Sequence, residues 1–250
     1  MHILLTNDDG ISAPGIRALA DGMLSAEHRI TVCAPSGERS AASHSATLSR
    51  SIAAESVEFP GACRAWSVDG TPADCASLGI WLTRDDPVDL VVSGINYGMN
   101  LGGACVYSGT VGAAMEAAMC GVQALAVSLC VPDRNQPSDY STAGRVAARV
   151  ADWISGHPLP RGCIYNLNVP SLPYESLRGL VPARLSPIFL SDPDYIEESP
   201  GHYRFNKSIY FPRSENGDVE LTDQGFATLT MLTWDFRWNA PDGLLSTIGL

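Results

Sequence analysis

The sequence lacks the motifs that mark the commonest nucleotide-dependent and hydrolytic enzymes. It holds no G-x-x-x-x-G-K-[ST], the glycine-rich loop that cradles phosphates in P-loop NTPases. No G-x-G-x-x-G follows the first apolar run, which argues against a dinucleotide fold, and H-E-x-x-H and G-x-S-x-G are missing as well. Basic charge is scarce: 16 Lys and Arg stand against 27 Asp and Glu, for a net charge of -11 and a pI near 4.7. Without a basic patch, a nucleic-acid polymer is not an expected partner. The longest apolar stretch, 122–131, is too short and too polar to span a bilayer, so no membrane is expected either. The first residues show neither a basic region nor a long apolar core, and no signal peptide is expected. Seven cysteines occur with no C-x-x-C pairing. An odd count at irregular spacing reads as reduced, mostly buried thiols in a cytoplasmic protein.

What is present is a globular composition, 45% apolar and 17% charged, over a length that is ample for a sizeable core. Residues 3–5 form an apolar run that stops at Asn7-Asp8-Asp9-Gly10, a strand followed by a loop. Pro14 suits a helix start, and Ile16, Leu19, Met23 and Leu24 then share one helical face. A second strand over 29–34 leads into a polar loop, 36–47, and extended segments follow to residue 68. Thr71-Pro72-Ala73-Asp74 predicts a helix running to about 82, with Thr71 as N-cap and Asp74 at the third position. A strand over 89–93, a glycine-rich loop over 94–107, an alanine-rich helix over 110–120 and a strand over 124–129 come next. Val146, Val150, Trp153 and Ile154 mark one more amphipathic helix. Strands alternating with helices predict a mostly parallel sheet with right-handed crossovers. From about residue 170, prolines, aromatics and short extended runs replace helical periodicity. The expected division is a catalytic core over 1–170 and a β-rich extension over 171–250 that serves in subunit contacts.

Ligands of an open parallel sheet bind beyond the carboxyl ends of its strands. Asp8-Asp9, the loop 36–47 and the segment 93–100 all follow strands, so they are expected on one edge; Asp85-Asp86-Pro87 precedes a strand and belongs to the other. Adjacent carboxylates at a strand end repel each other unless a cation sits between them. All-oxygen surroundings favour magnesium or manganese over zinc. The same four residues also read as a plain Asn-Asp-Asp-Gly turn with solvated acids. Ser40, Ser43, His44, Ser45 and Thr47 give the next loop hydroxyls and small side chains suited to wrapping a ligand, and His44 is a candidate proton donor to a leaving alkoxide. An asparagine carbonyl such as that of Asn96 is a neutral ligand for magnesium. Ser108-Gly109-Thr110 enters a helix, where free N–H groups and hydroxyls suit a phosphate, although Ser108 equally suits an ordinary N-cap. With a net charge of -11, an anionic substrate requires such local positive potential.

Taken together, these segments resemble the SurE (survival protein E) family of 5'/3'-nucleotidases. The resemblance lies in Ile3-Leu4-Leu5-Thr6-Asn7-Asp8-Asp9-Gly10 with Ala13-Pro14-Gly15-Ile16, in Arg39-Ser40-Ala41-Ala42-Ser43-His44-Ser45, and in Gly70-Thr71-Pro72-Ala73-Asp74-Cys75. It continues in Ser93-Gly94-Ile95-Asn96 with Asn100-Leu101-Gly102, and in Tyr107-Ser108-Gly109-Thr110-Val111. It implies a Rossmann-like three-layer α/β sandwich with a β-rich C-terminal appendage, acting as a phosphomonoesterase on nucleoside monophosphates. One divalent cation per subunit, Mg2+ or Mn2+, would be held by Asp8, Asp9, Ser40 and Asn96. Substrate and phosphate contacts would come from Asn7, Ser43, His44, Asn100, Ser108, Gly109 and Thr110. Asp8, Asp9, Asn96 and Ser108 would form the catalytic set, with water as nucleophile or Asp8 in its place. The resemblance also implies a cytoplasmic homodimer or homotetramer. Two departures stand out: Gly103-Ala104-Cys105 occupies a stretch where the family often has an acid, and the segment from Thr222 to Leu232 is a shortened version of a family motif. The alternatives from the residues are a broad acid phosphatase or exopolyphosphatase, and a nucleotide-binding sensor without turnover. A receiver-like switch would need an aspartate where Ser93 and Asn96 stand.

Overall fold

A computed structural model of the chain describes residues 1–131, 138–187, 194–206 and 214–233. Its centre is a run of six parallel strands, five of them largely buried and the sixth, Ala62–Val68, partly exposed. These are β1 (His2–Thr6), β2 (Arg29–Pro35), β4 (Ala62–Val68), β5 (Leu90–Tyr97), β6 (Gln123–Cys130) and β7 (Cys163–Pro170). They lie in the order β4-β2-β1-β5-β6-β7. The short β3 (Ala54–Ser56) adds antiparallel to β4 at one edge. At the other edge β11 (Ala227–Thr233) runs antiparallel to β7, and β8 (Leu180–Pro182) pairs parallel with β11. The chain builds outward from β1 through β2 and then returns to the other side of β1 with β5. The switch point therefore lies between β1 and β5, where the crevice at the strand ends opens.

Helices cover both faces, as a parallel sheet requires. Ile3 and Leu5 of β1 meet α1 (Pro14–Ser25) and α4 (Ser141–Gly156) through Ile16, Leu19, Met23, Val150 and Ile154. Leu4, pointing the other way, joins the layer formed by α2 (Pro72–Leu82) and α3 (Gly109–Met119) with Cys75, Val111 and Ala114. The expected α/β architecture with a mostly parallel sheet is thus what the chain adopts. The predicted start of α2 is also found. Thr71 accepts from the Asp74 amide at 3.1 Å, and the Asp74 carboxylate accepts from the Thr71 amide at 2.8 Å, which closes a capping box.

Three features differ from the sequence expectation. β5 does not stop at residue 93 but continues to Tyr97, with its register to β6 shifting between Ser93 and Asn96 and a cis peptide bond at Gly94–Ile95. β7 has no counterpart among the expected elements, because Asn166 and Asn168 interrupt its apolar pattern although both are buried. Beyond residue 170, β8 and β11 extend the main sheet, while β9 (Tyr195–Ser199) and β10 (His202–Phe205) form a separate exposed antiparallel pair. The expected extension beyond residue 233 lies outside the described residues.

Candidate active site

Asp8 and Asp9 follow β1 directly, at the switch point. Asn7 shapes their turn: its side-chain amide donates to the Gly10 carbonyl at 2.8 Å and its Oδ1 accepts from the Gly10 amide at 3.2 Å. Fully buried in these bonds, Asn7 faces the turn it holds. The Asp8 carboxylate is 5% exposed and is gripped by the first turn of α3. Its Oδ1 accepts from the Thr110 hydroxyl at 2.5 Å and its Oδ2 from the Thr110 amide at 3.2 Å. Burial pushes the Asp8 carboxyl upward against the bonds from Thr110, and the charge of Glu38 acts in the same direction as burial. Asp9 turns toward β5, where its Oδ2 accepts from the Tyr97 amide at 3.2 Å. Asn96 stands beside Tyr97 and donates from its side chain to the Gly98 carbonyl at 2.8 Å, which leaves Oδ1 as its ligating atom.

The loop after β2 lies against this turn. The Arg39 amide donates to the Asp8 carbonyl at 2.7 Å, bringing Ser40 to the same edge. Ser40 is exposed and donates to Glu38 Oε1 at 2.5 Å. Ser43 is clamped from the far side: its hydroxyl donates to the Val106 carbonyl at 2.6 Å and its amide to that of Tyr107 at 3.1 Å. The loop then rests on α3. A Cβ at Gly112 would come within 2.5 Å of the Ser43 carbonyl and 3.0 Å of His44 Cα. From there the His44 ring runs along the helix to Glu116, with Nε2 and Oε2 2.8 Å apart. That pairing draws the imidazole toward Glu116, about two turns along α3 from its first residue.

The α3 N-terminus is more occupied than the sequence implies. Ser108 Oγ accepts from the Val111 amide at 3.1 Å as a true N-cap, and both Thr110 donors go to Asp8. Gly109 is packed so closely that a Cβ there would lie 3.0 Å from Asp8 Oδ2. Asn100 stands apart, in a buried network. Its amide N–H donates to Asn168 Oδ1 at 2.9 Å, its side chain to Ser128 at 2.8 Å, and its carbonyl accepts from Asn166 at 2.8 Å. The structure thus joins Asp8, Asp9, Asn96, Gly109 and the Ser40 loop at one edge, and gives Asn7, Ser43 and Asn100 bonds that hold loops. The acidic pair at 85–86 lies at the opposite edge as expected, with Asp86 against Arg29. The sequence does not signal Glu116 as the partner of His44, nor the bonds that the Thr47 amide and hydroxyl donate to the Asp74 carboxylate. Glu116 carries no local signal beyond an acid in an alanine-rich helix.

Residues 3–189 match the family described as Survival protein SurE. The chain belongs to the SurE family. Among its relatives, the 5'-nucleotidase SurE of Methylococcus capsulatus is 47% identical over 185 residues, covering 74% of this chain and 70% of that protein. The 5'-nucleotidase SurE of Clostridium beijerinckii is 37% identical over 241 residues and 94% of both chains. The crystal structure of the SurE protein from Aquifex aeolicus superposes with a TM-score of 0.83 at 29% identity, over 95% of both chains.

The donor set suits a hard cation. Asp8 is a buried acid with no cationic side chain paired to it among the described residues, and Asp9 is its neighbour. No three His, Cys, Asp or Glu side chains converge among the described residues. The set at this edge is instead two carboxylates, one hydroxyl and one amide, which are hard oxygen ligands. A cation beside Asp8 would offset the upward push of burial on its carboxyl. All seven cysteines are free, and burial pushes up the thiols of Cys75, Cys105 and Cys130, that of Cys105 to about 12. No helix among the described residues is long and apolar enough to cross a membrane.

Proposed function

We propose that the protein is a 5'-nucleotidase, hydrolysing nucleoside monophosphates to nucleoside and phosphate with one divalent cation, Mg2+ or Mn2+, held by Asp8, Asp9, Ser40 and Asn96. The observation that carries the reading is the grip of Thr110 on Asp8 at the switch point, through bonds of 2.5 and 3.2 Å, in a chain that belongs to the SurE family. When bound, the cation supplies Lewis-acid stabilisation of the phosphoryl oxygens.

The chain's own residues do the rest. Asp8 and Asp9 present carboxylates fixed by α3 and by the end of β5. The N-terminal end of α3, with the Gly109 amide beside Asp8, offers partial positive charge to the phosphate. Because phosphoryl transfer depends mainly on positioning and charge stabilisation, a covalent nucleophile is not required. Both Asp8 oxygens accept from Thr110, which supports a holding role for Asp8 and water as the attacking group. Water adds to phosphorus, the P–O bond to the sugar breaks, and the sugar oxygen leaves with a proton. The extension over 171–250 is proposed to join subunits into a homodimer or homotetramer in the cytoplasm, with the exposed β9–β10 pair among the surfaces it offers.

Phosphate release from nucleoside 5'- and 3'-monophosphates, with Mg2+ or Mn2+ and then with a chelator, tests the reading. Chelator-sensitive turnover that is lost in Asp8→Asn is expected. Full activity in Asp8→Asn would refute the assignment of the site. Metal-dependent nucleotide binding without release would indicate a sensor, and preference for phenyl phosphate or polyphosphate a broader phosphatase.

A further inference from the structure

Asp218 opens α5 (Asp218–Asp223) and is fully buried, yet nothing in the chemistry above uses it. Its carboxylate accepts three backbone N–H bonds: from Gly102 to Oδ2 at 2.7 Å, and from Ser186 and Val219 to Oδ1 at 2.8 and 2.9 Å. No cationic side chain pairs with it among the described residues. Ser186 and Val219 belong to the C-terminal part of the chain, whereas Gly102 belongs to the loop that leads into α3. Leu101, Cys130 and Val219 add a small apolar cluster at the same junction.

From Gly102 the path to the site is continuous. The 3-10 turn Gly102–Tyr107 carries the carbonyls of Val106 and Tyr107 that receive the Ser43 hydroxyl and amide. Ser108 then caps α3, and Thr110 holds Asp8. The start of this turn has two anchors, the Asn100 network on β6 and β7 and the Asp218 carboxylate. The 3-10 turn itself has no charged side chain, because Gly103-Ala104-Cys105 fills it. We infer that Asp218 is a positioning residue for the active site, its carboxylate fixing Gly102 and, through the 3-10 turn, the placement of the Ser43 loop against α3. The kinetic half of this inference rests on the nucleotidase reading; the structural half does not.

A carboxylate accepts at both oxygens, whereas an asparagine offers one acceptor oxygen and one donor group. In Asp218→Asn the amide oxygen can serve Ser186 and Val219, which sets the NH2 group donor-to-donor against the Gly102 amide. The test compares wild type and Asp218→Asn as full chains. Amide exchange is read by mass spectrometry over 42–46 and 101–108, and turnover on a nucleoside 5'-monophosphate. Losing one buried charge-assisted bond predicts exchange about tenfold faster or more in those two segments, with β1 and β5 unchanged. KM is expected to rise about tenfold while kcat changes less than about threefold, since substrate placement and not the acid pair is disturbed. Uniformly faster exchange across the sheet, or a fall in kcat alone, would overturn the inference. Should Asp218→Asn fail to fold, the wild type decides. Under increasing denaturant, 101–108 and 217–223 are expected to open as one unit, and separate opening would overturn the coupling. If exchange behaves as expected but no nucleotide is turned over, the positioning role stands and the nucleotidase reading falls.

Discussion

Replacing Asp74 by alanine should loosen the fold and the active-site loop together. The Asp74 carboxylate accepts from the Thr47 amide at 2.9 Å, the Thr47 hydroxyl at 2.6 Å and the Thr71 amide at 2.8 Å. The Thr71 bond is half of the capping box of α2, and the Thr47 bonds tether the loop that carries Ser40, Ser43 and His44. A lost cap costs about 1 kcal/mol and each bond to a charged acceptor about 1.5–3 kcal/mol, and neighbouring losses do not sum, so a total near 3 kcal/mol is expected at neutral pH. The sign of the pH dependence follows from the folded state. Burial by itself would raise the Asp74 pKa, but the donors of Thr47 and Thr71 together outweigh it and hold the carboxyl below the usual carboxylate range. A depressed folded pKa gives stability that is present above the unfolded value and lost as pH falls through the folded one. Urea melts of wild type and Asp74→Ala should therefore differ most at neutral pH and converge in acid, with KM raised in the variant at neutral pH. A gap that stays constant into acid, or no gap at neutral pH, would show that the carboxylate bonds do not stabilise the fold.

Thr110→Val keeps the shape of a fully buried side chain but removes the hydroxyl that donates to Asp8 at 2.5 Å. Metal affinity, read by calorimetry with Mn2+, should fall about 10–100-fold, as for other groups that orient a ligand. Unchanged affinity would separate Asp8 from the cation. Gly112→Ala places a Cβ 2.5 Å from the Ser43 carbonyl, a backbone atom that must move. It should cost about 1–3 kcal/mol in a thermal melt and raise KM, and a neutral outcome would mean that the loop does not rest on α3 in solution.

Much of the site was readable from local pattern. Asp8-Asp9 follows an apolar run, and Thr71-Pro72-Ala73-Asp74 spells a helix start whose bonds involve neighbours three residues apart. The pattern around Gly94 puts Asn96 in a loop after the strand, whereas it lies in the last residues of β5 itself, at that same strand end. β7 is not legible in the sequence because Asn166 and Asn168 look like surface residues until Asn100 supplies their partner from another segment.

The sequence by itself determined the alternation of strands and helices, the caps and the edge on which the acids stand, since these depend on periodicity and on bonds within a turn. Only the tertiary structure decided what each polar side chain is bonded to. Thr110 faces Asp8 across 102 positions and Gly102 faces Asp218 across 116. His44 is drawn to Glu116 across 72. Such partners carry no local signal, because a buried polar group takes whichever complementary atom the packed sheet brings within reach.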